Sequence, residues 1–136
     1  MLFRSIDGKP MGRMLVDGGA GGNIMALSVF SKLNRKESEL MKTKRGLRGF
    51  SGEISEAYGV ISMELTVGSK TLPTAFFVID IRGGRYDILL GRDWIHANCC
   101  IPSTLHQCLI QWIDDDVEVI EADNSACADL DRKSVV

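Results

Sequence analysis

The chain has 136 residues, of which 45% are hydrophobic and 25% are charged, and its formal net charge at pH 7 is -2. This length suits one domain with a core and is too short for two lobes, and the balanced charge offers no basic excess for binding nucleic acid. No apolar run approaches the roughly 20 residues that a membrane helix needs, so no membrane partner is predicted.

The start of the chain lacks the apolar segment of a secretory signal, so we expect an intracellular protein or a piece of a longer chain. Four cysteines are present: Cys99, Cys100, Cys108 and Cys127. They form no C-x-x-C pair, which favours reduced thiols. A zinc site that joined the first three to His96 and His106 would have unusual ligand spacing, so neither a metal nor a cofactor is predicted.

The first third of the chain predicts an arm, a strand and a helix. Residues 3–10 read as an extended arm that closes in a turn. A buried strand follows and ends at Asp17. Apolar residues then recur at helical spacing and predict a helix at about 24–33, with Asn23 as its N-cap.

The rest of the chain is rich in strand patterns. Residues 44–52 hold three glycines and one aromatic, which predicts a mobile hairpin, although a plain surface loop fits the same pattern. Alternation over 61–67 and branched or aromatic residues over 71–80 predict a second hairpin. The remaining predicted elements are a strand at 86–91, a short helix at 92–97, and strands at 109–113 and 117–120. The predicted fold is therefore mostly β, with Trp94 and Trp112 as core anchors.

The stretch around Asp17 points to chemistry. Its carboxylate ends an apolar strand and is followed at once by Gly18 and Gly19, which have no side chain to screen it. A buried carboxylate is strongly disfavoured unless it is hydrogen-bonded, solvated or protonated. Two close carboxylates can share one proton and then act as general base and general acid on a water molecule. The alternative reading of these residues alone is that Asp17 caps the following helix.

Phosphate binding at the same glycines is a further alternative. The run from Gly18 to Gly22 does not satisfy G-x-G-x-x-G, and it lacks the Lys of a P-loop. The β-rich remainder offers no alternating helices for a doubly wound sheet. Nucleotide binding is therefore disfavoured.

Two motifs together resemble the signatures of a known family, the retropepsin-like aspartic proteases. The first, which resembles the active-site signature, is Leu15-Val16-Asp17-Gly18-Gly19-Ala20. The second, which resembles the glycine motif packed beneath it, is Ile88-Leu89-Leu90-Gly91-Arg92. The stretches 49–52, 91–96 and 103–107 add to this resemblance. Together with the two motifs, they make the sequence over about residues 10–121 resemble the protease region of plant gypsy-type retrotransposon polyproteins.

This resemblance implies a small closed β-barrel of the retropepsin type with one or two short helices, formed by residues 1–121, and a tail or linker at 122–136. It implies an aspartic endopeptidase that works as a homodimer, in which each chain lends one Asp to a site that needs no metal or cofactor. The single D-x-G-[AS] match agrees with one Asp per chain. The implied substrate is a polypeptide, its own polyprotein, in the cytoplasm or in retroelement particles.

The resemblance also implies roles for individual residues. Asp17 is the implied catalytic residue. The implied substrate-binding residues, the last four of them in a flap, are Gly19, Ala20, Gly49, Phe50, Ser51 and Gly52. The implied structural supports of the site are Gly18, Leu90, Gly91 and Arg92.

Two glycines depart from the family pattern. Gly18 stands where the family has Thr or Ser, whose hydroxyl bonds across the dimer, so we expect a looser site and a weaker dimer. This departure leaves open an alternative function, a catalytically silent retropepsin-like module for dimerisation or peptide binding. Gly21 replaces an acid that can pair with the Arg of the second motif, so Arg92 is expected to pair with Asp87, Asp93 or solvent.

Overall fold

The structure is a computed structural model, and it describes residues 4–42, 46–48, 54–80, 87–122 and 134–135. Its strands are β1 (Arg4–Ile6), β2 (Lys9–Pro10), β3 (Met14–Val16), β4 (Asn23–Ala26), β5 (Gly46–Arg48), β6 (Ile54–Glu56), β7 (Gly59–Val67), β8 (Lys70–Ile79), β9 (Ile88–Leu90), β10 (Ile101–Ser103), β11 (Cys108–Ile113), β12 (Asp116–Glu121) and β13 (Ser134–Val135). The helices are α1 (Leu27–Lys32) and α2 (Arg92–Asn98), with a 3-10 turn at Glu37–Glu39. Neither helix has the length and apolar character that crossing a membrane requires, and only the described residues were considered.

One large sheet organises the molecule, in the strand order β13-β3-β9-β4-β8-β7-β1-β2. Strand β3 runs parallel to β9, and β4 lies between β9 and β8, antiparallel to the first and parallel to the second. Among the described strands the two at the ends of this order do not pair with each other, so the sheet is a curled half-barrel. The mostly β prediction is confirmed, and closure into a full barrel stays a prediction.

The hairpin β7–β8 confirms the clearest pattern of the sequence. Ile61, Met63 and Leu65 are buried while Ser62 and Glu64 are exposed, so the alternation places one face on the core. Each such side chain contributes about 1.5–3 kcal/mol when it leaves water. The two strands pair along the whole length of the hairpin, and their buried side chains form a large part of the main core.

The predicted helix at 24–33 is wrong in its first turn. Residues 23–26 form strand β4, and the helix begins only at Leu27, after Ala26 at the N-cap position. Pairing with β8 on one side and β9 on the other fixes these residues as strand. Tertiary pairing therefore outweighs the helical spacing, and Asn23 is not the cap of α1.

A second sheet, β10-β11-β12, lies against the turn of the β7–β8 hairpin, where the Ser69 N–H donates to Glu118 Oε1 at 3.2 Å. Leu109 and Ile120 are fully buried in the main core, which confirms the predicted strands at 109–113 and 117–120. The expectation that Trp112 is a core anchor is wrong, because 38% of this residue is exposed, whereas Trp94 is buried as expected. Residues in β11 alternate between the two faces, and Trp112 lies on the outer one.

The predicted boundary at residues 121 and 122 stays a prediction, and one observation bears on the segment after it. Strand β13 pairs antiparallel with β3, with Ser134 opposite Val16 and Val135 opposite Leu15. The backbone near the end of the chain thus lies beside the strand that leads to Asp17.

Candidate active site

Asp17 is placed by the parallel pairing of β3 and β9. Both strands end at the same edge of the sheet, and the Asp17 N–H extends their ladder by donating to the Leu90 carbonyl at 2.9 Å. Leu90 itself is fully buried in the main core, and Asp17 is half-buried. The carboxyl group therefore lies at the rim of the core, as the sequence predicts.

The glycines after Asp17 form a tight turn around its side chain. The Gly19 N–H donates to Asp17 Oδ1 at 2.9 Å, and the Ala20 N–H donates to the Asp17 carbonyl at 3.2 Å. A Cβ at Gly19 would lie 3.2 Å from Oδ1, so the glycine leaves the carboxylate approachable. The turn leads into β4 and not into a helix, so the reading of Asp17 as a helix cap is wrong.

The second glycine motif interlocks with this turn. A Cβ at Gly91 would collide with the Gly22 carbonyl oxygen and lie 2.7 Å from that of Ala20, so only glycine permits the approach. The Arg92 N–H then donates to the Ala20 carbonyl at 2.8 Å, and the Asp93 N–H donates to the Gly21 carbonyl at 3.0 Å. The beginning of α2 is therefore bonded directly to the loop that carries Asp17.

Asn23 holds the same two loops together, a role that the sequence analysis missed. Its Oδ1 accepts hydrogen bonds from the N–H groups of Gly91 at 3.0 Å and Trp94 at 3.3 Å, and its Nδ2 donates to the Ala75 carbonyl at 3.1 Å. The residue is buried, 3% exposed. It therefore caps α2, a distant helix, instead of the one that follows it. The available signal was a lone amide in a buried strand, which must be satisfied by hydrogen bonds.

Arg92 is exposed, as one of its expected partners, solvent, requires, and it also binds a backbone carbonyl that the sequence did not predict. Its Nη1 donates to the Gly18 carbonyl at 3.2 Å, and within the described parts of the chain no ion pair joins it to Asp87 or Asp93. A Cβ at Gly21 would lie 3.5 Å from Arg92 Nη2, so this position does face the guanidinium group. Arg92 thus braces the backbone of the Asp17 turn through a carbonyl oxygen.

Gly18 is exposed, and a Cβ placed there would meet no heavy atom within 4 Å. Among the residues that the structure describes, nothing explains its lack of a side chain, and a larger residue would fit. Its predicted role as a support of the site is limited here to its backbone, whose carbonyl accepts the bond from Arg92.

A small apolar cluster lies beside Asp17, on the face of the sheet opposite the main core. Its buried members are Leu15, Ile24, Ile79 and Leu89, with Ala20 and Ala57 packed against them. The neighbours of Leu15 and Leu89 along β3 and β9 point into the main core instead. Sequence reasoning missed this cluster, although a strand with apolar residues at consecutive positions indicates that both of its faces are covered.

The predicted flap is described only at its base. Strands β5 and β6 pair antiparallel, with Gly46 opposite Glu56 and Arg48 opposite Ile54, in agreement with a hairpin in this region. The predicted substrate-binding residues of the flap lie outside the described residues: Gly49, Phe50, Ser51 and Gly52.

The structure gives no support to a metal centre in the part of the chain that it describes, where no group of three or more His, Cys, Asp or Glu residues could hold an ion. His96 and His106 are exposed, and His106 shares a hydrogen bond of 3.0 Å with the Ser103 hydroxyl. Cys99, Cys100 and Cys108 are free thiols, as expected of the cysteines that are described.

Comparisons with known proteins give a family for most of the chain and a similar fold for one solved structure. A sequence model of the aspartyl protease family matches residues 4–94. No protein of curated function matches significantly. The crystal structure of the retroviral protease-like domain of Ddi1 from Leishmania major is similar in fold, with a TM-score of 0.63 and 22% identity over 89% of this chain and 93% of that one. A Legionella pneumophila protein of unknown function (DUF785) aligns with a TM-score of only 0.38 and 16% identity over 62% of this chain and 73% of its own.

Proposed function

The chain belongs to the aspartyl protease family and has a retropepsin-like fold, and from this premise we propose that it is an aspartic endopeptidase that acts as a homodimer. The observation that carries the proposal is the setting of Asp17, a half-buried carboxylate at the end of a buried strand, with Oδ1 held by the Gly19 N–H. A second copy supplies the second carboxylate.

In the proposed reaction the two Asp17 carboxyl groups share one proton, because two negative charges this close cannot both persist. The ionised group takes a proton from a water molecule, whose oxygen forms a bond to the carbonyl carbon of a peptide. The protonated group gives its proton to the carbonyl oxygen. When the tetrahedral intermediate collapses, the C–N bond breaks and the leaving nitrogen receives the proton that the first carboxyl group took from water. The second carboxylate takes a proton from a hydroxyl of the intermediate, which forms the carboxylic acid product and restores the shared proton. The Gly19 N–H keeps one oxygen of each carboxylate in place throughout.

The proposed substrate is an extended polypeptide. The cluster of Leu15, Ile24, Ile79 and Leu89 beside Asp17 is buried, and it supports from below the side of the sheet on which we place the substrate groove. Ala20 packs against this cluster and, with Gly19, forms the floor of the proposed groove. The flap, including residues 49–52, would cover the peptide and exclude water other than the attacking molecule.

The remaining parts of the proposal concern the context of the domain. We propose that the half-barrel closes into a small barrel, that residues 122–136 act as a tail or linker, and that Leu90, Gly91 and Arg92 support the site. The resemblance of the sequence motifs to plant gypsy-type polyproteins supports an origin in such a retrotransposon. The substrate is then its own polyprotein, cleaved inside the cell, in the cytoplasm or in retroelement particles.

A second candidate function is favoured by one specific observation, the missing side chain at Gly18. Without a hydroxyl at this position, hydrogen bonds across the dimer beneath the two carboxylates cannot form. A dimer that is loose at its centre could hold a peptide without cutting it. The alternative is therefore a catalytically silent module for dimerisation or peptide binding.

A cleavage assay separates the two candidates. The purified chain is incubated at mildly acidic pH with a peptide library, since one of the two carboxyl groups must be protonated, beside an Asp17→Asn variant and a peptidic inhibitor of aspartic proteases. The endopeptidase proposal expects cleavage that both controls abolish. Intact peptides from a sample that sedimentation shows to be dimeric would contradict it and favour the silent module.

A further inference from the structure

Arg92 brings an exposed positive charge to the loop that carries Asp17. Its Nη1 donates to the Gly18 carbonyl at 3.2 Å, so the guanidinium group lies against the residue that follows Asp17. A guanidinium group has five N–H donors in a planar fork and keeps its charge at every pH at which proteins are folded. One carbonyl oxygen therefore uses only part of its bonding capacity.

The charge of Arg92 has no carboxylate partner among the residues that the structure describes. In that part of the chain the ion pairs belong to another arginine, Arg35. Asp93, the next residue along the chain, is directed to Gly22, since a Cβ there would lie 4.0 Å from its Oδ2. The described chain thus leaves the charge of Arg92 available for a carboxylate from another molecule.

The glycine at position 21 leaves Arg92 Nη2 open to such an approach. A Cβ at Gly21 would lie 3.5 Å from Nη2, so any side chain at this position would stand against the guanidinium group. Gly21 is itself exposed. It follows directly after Gly19 and Ala20, which form the floor of the proposed groove. A peptide that lies along this floor therefore comes next to Nη2.

We propose that Arg92 is a specificity residue that binds an Asp or Glu side chain of the substrate polypeptide. The inference rests on the proposed function, because it names the class of substrate for the same site. Arginine and carboxylate form paired, charge-assisted hydrogen bonds that are about twice as strong as bonds between neutral groups. Arg92 Nη1 lies 3.2 Å from the residue after Asp17, and an extended peptide advances about 3.3 Å per residue. The acidic residue is therefore within about three positions of the bond that is cut.

Gly21→Asp tests the proposal without removing Arg92. The new carboxylate starts from a Cβ at van der Waals distance from Nη2, so it can pair with the guanidinium group and compete with the substrate. Nη1 keeps its bond to the Gly18 carbonyl. Ser28→Asp adds the same charge at an exposed residue of α1 and is the matched control.

The readout is a preference between matched peptides. The library of the cleavage assay is made in two forms, in which a given position carries Glu in one and Gln in the other. The measured quantity is the ratio of kcat/KM for the Glu form to that for the Gln form. We expect a ratio of at least about ten at one position in the wild type and in Ser28→Asp, and a ratio near one or below in Gly21→Asp.

The pH dependence of this ratio separates binding of a carboxylate from a purely structural role. A glutamate side chain has an ordinary pKa of about 4.3 and loses its charge below it. The ratio should therefore fall towards one as pH falls through this range. If Gly21→Asp fails to fold, as judged by circular dichroism, Arg92→Gln is expected to abolish the preference, and Arg92→Lys to restore part of it.

The two proposals fail in different ways. A wild-type chain that cuts peptides with a ratio near one at every position overturns the role of Arg92 and leaves the endopeptidase standing, as does a preference that Gly21→Asp leaves intact. A wild-type chain that cuts nothing contradicts the endopeptidase. Binding of the same fluorescent peptides, measured by anisotropy, then decides on Arg92. Tighter binding of the Glu form that Gly21→Asp abolishes supports its role, and equal binding of the two forms, or no binding of either, overturns it.

Discussion

Gly18 is the residue at which a small change should have the largest effect on the proposed dimer. The space around its Cβ position holds no heavy atom of the described residues within 4 Å, so Gly18→Thr fits without displacing any of them. Its hydroxyl could then form a hydrogen bond to the second copy from each side, at about 1 kcal/mol for each bond. We expect the dimer dissociation constant, measured by sedimentation equilibrium, to fall by roughly tenfold or more.

Gly18→Ala is the matched control, because it adds a Cβ without a hydroxyl. Equal effects of Ala and Thr would attribute any gain to restricted backbone freedom, and an unchanged or weaker Thr dimer would contradict the assigned role of position 18.

Cys100 provides a prediction about pH. Burial raises the pKa of this thiol above its ordinary value of 9.0, since the thiolate would lose its hydration. The folded state therefore keeps the proton at pH values where the unfolded chain has released it. The resulting stability is fully present below the unfolded pKa and is lost as pH rises through the folded pKa.

Urea unfolding at neutral and at alkaline pH checks this sign. We expect the free energy of unfolding to fall less steeply with rising pH in Cys100→Ala than in the wild type. Ser28→Ala, at an exposed position whose side chain does not titrate in this range, supplies the control and should follow the wild-type slope. Identical slopes in all three proteins would show that Cys100 is not the group responsible.

At the scale of elements, Asn23 joins three pieces of structure that are far apart in sequence. The Asn23→Ala variant would lose three buried hydrogen bonds of the side-chain amide. The groups left without this partner are the N–H groups of Gly91 and Trp94 and the Ala75 carbonyl. We expect the free energy of unfolding, measured in urea, to fall by about 2–4 kcal/mol, since each unsatisfied buried group is strongly unfavourable. Ser28→Ala, at an exposed position of α1, should change it by less than about 0.5 kcal/mol.

A loss in Asn23→Ala no larger than that of the Ser28 control would mean that water replaces the amide. In that case the interlock of the two loops would depend on Gly91 and on the backbone bonds alone.

How much of each element the sequence predicts depends on whether its determinants are local. The alternation of residues 61–67 is local, and the hairpin it predicts is present. Residues 24–26 have helical spacing, but they form a strand because they pair with β8 and β9. These partners lie more than fifty residues away in sequence. The sequence predicts Asn23 as the cap of the helix that follows it, which is wrong, because its side chain accepts the hydrogen bonds of the distant α2.

At the scale of the whole molecule, length predicts one domain and the strand patterns predict a mostly β fold. The resemblance of the two glycine motifs to a known family predicts which loops meet. The apolar cluster beside Asp17 and the exposed apolar side chains of the second sheet, Ile101, Trp112, Val117 and Val119, were not predicted, because each depends on which side of a strand faces solvent in the assembled sheet. Trp112 illustrates this limit: a large aromatic residue favours the core by type, but its register in β11 places it outside.

The central claim is that two copies of Asp17 make one site, and mixing two kinds of chain tests it directly. A fixed amount of wild-type chain is equilibrated with increasing amounts of Asp17→Asn chain, and the rate of peptide cleavage is measured. At total concentrations well above the dimer dissociation constant and with free exchange of subunits, an equal amount of variant should lower the rate to about half and a threefold excess to about a quarter, because wild-type chains are diverted into mixed dimers. A rate that the variant leaves unchanged would mean that one chain completes the site alone, and it would contradict the account.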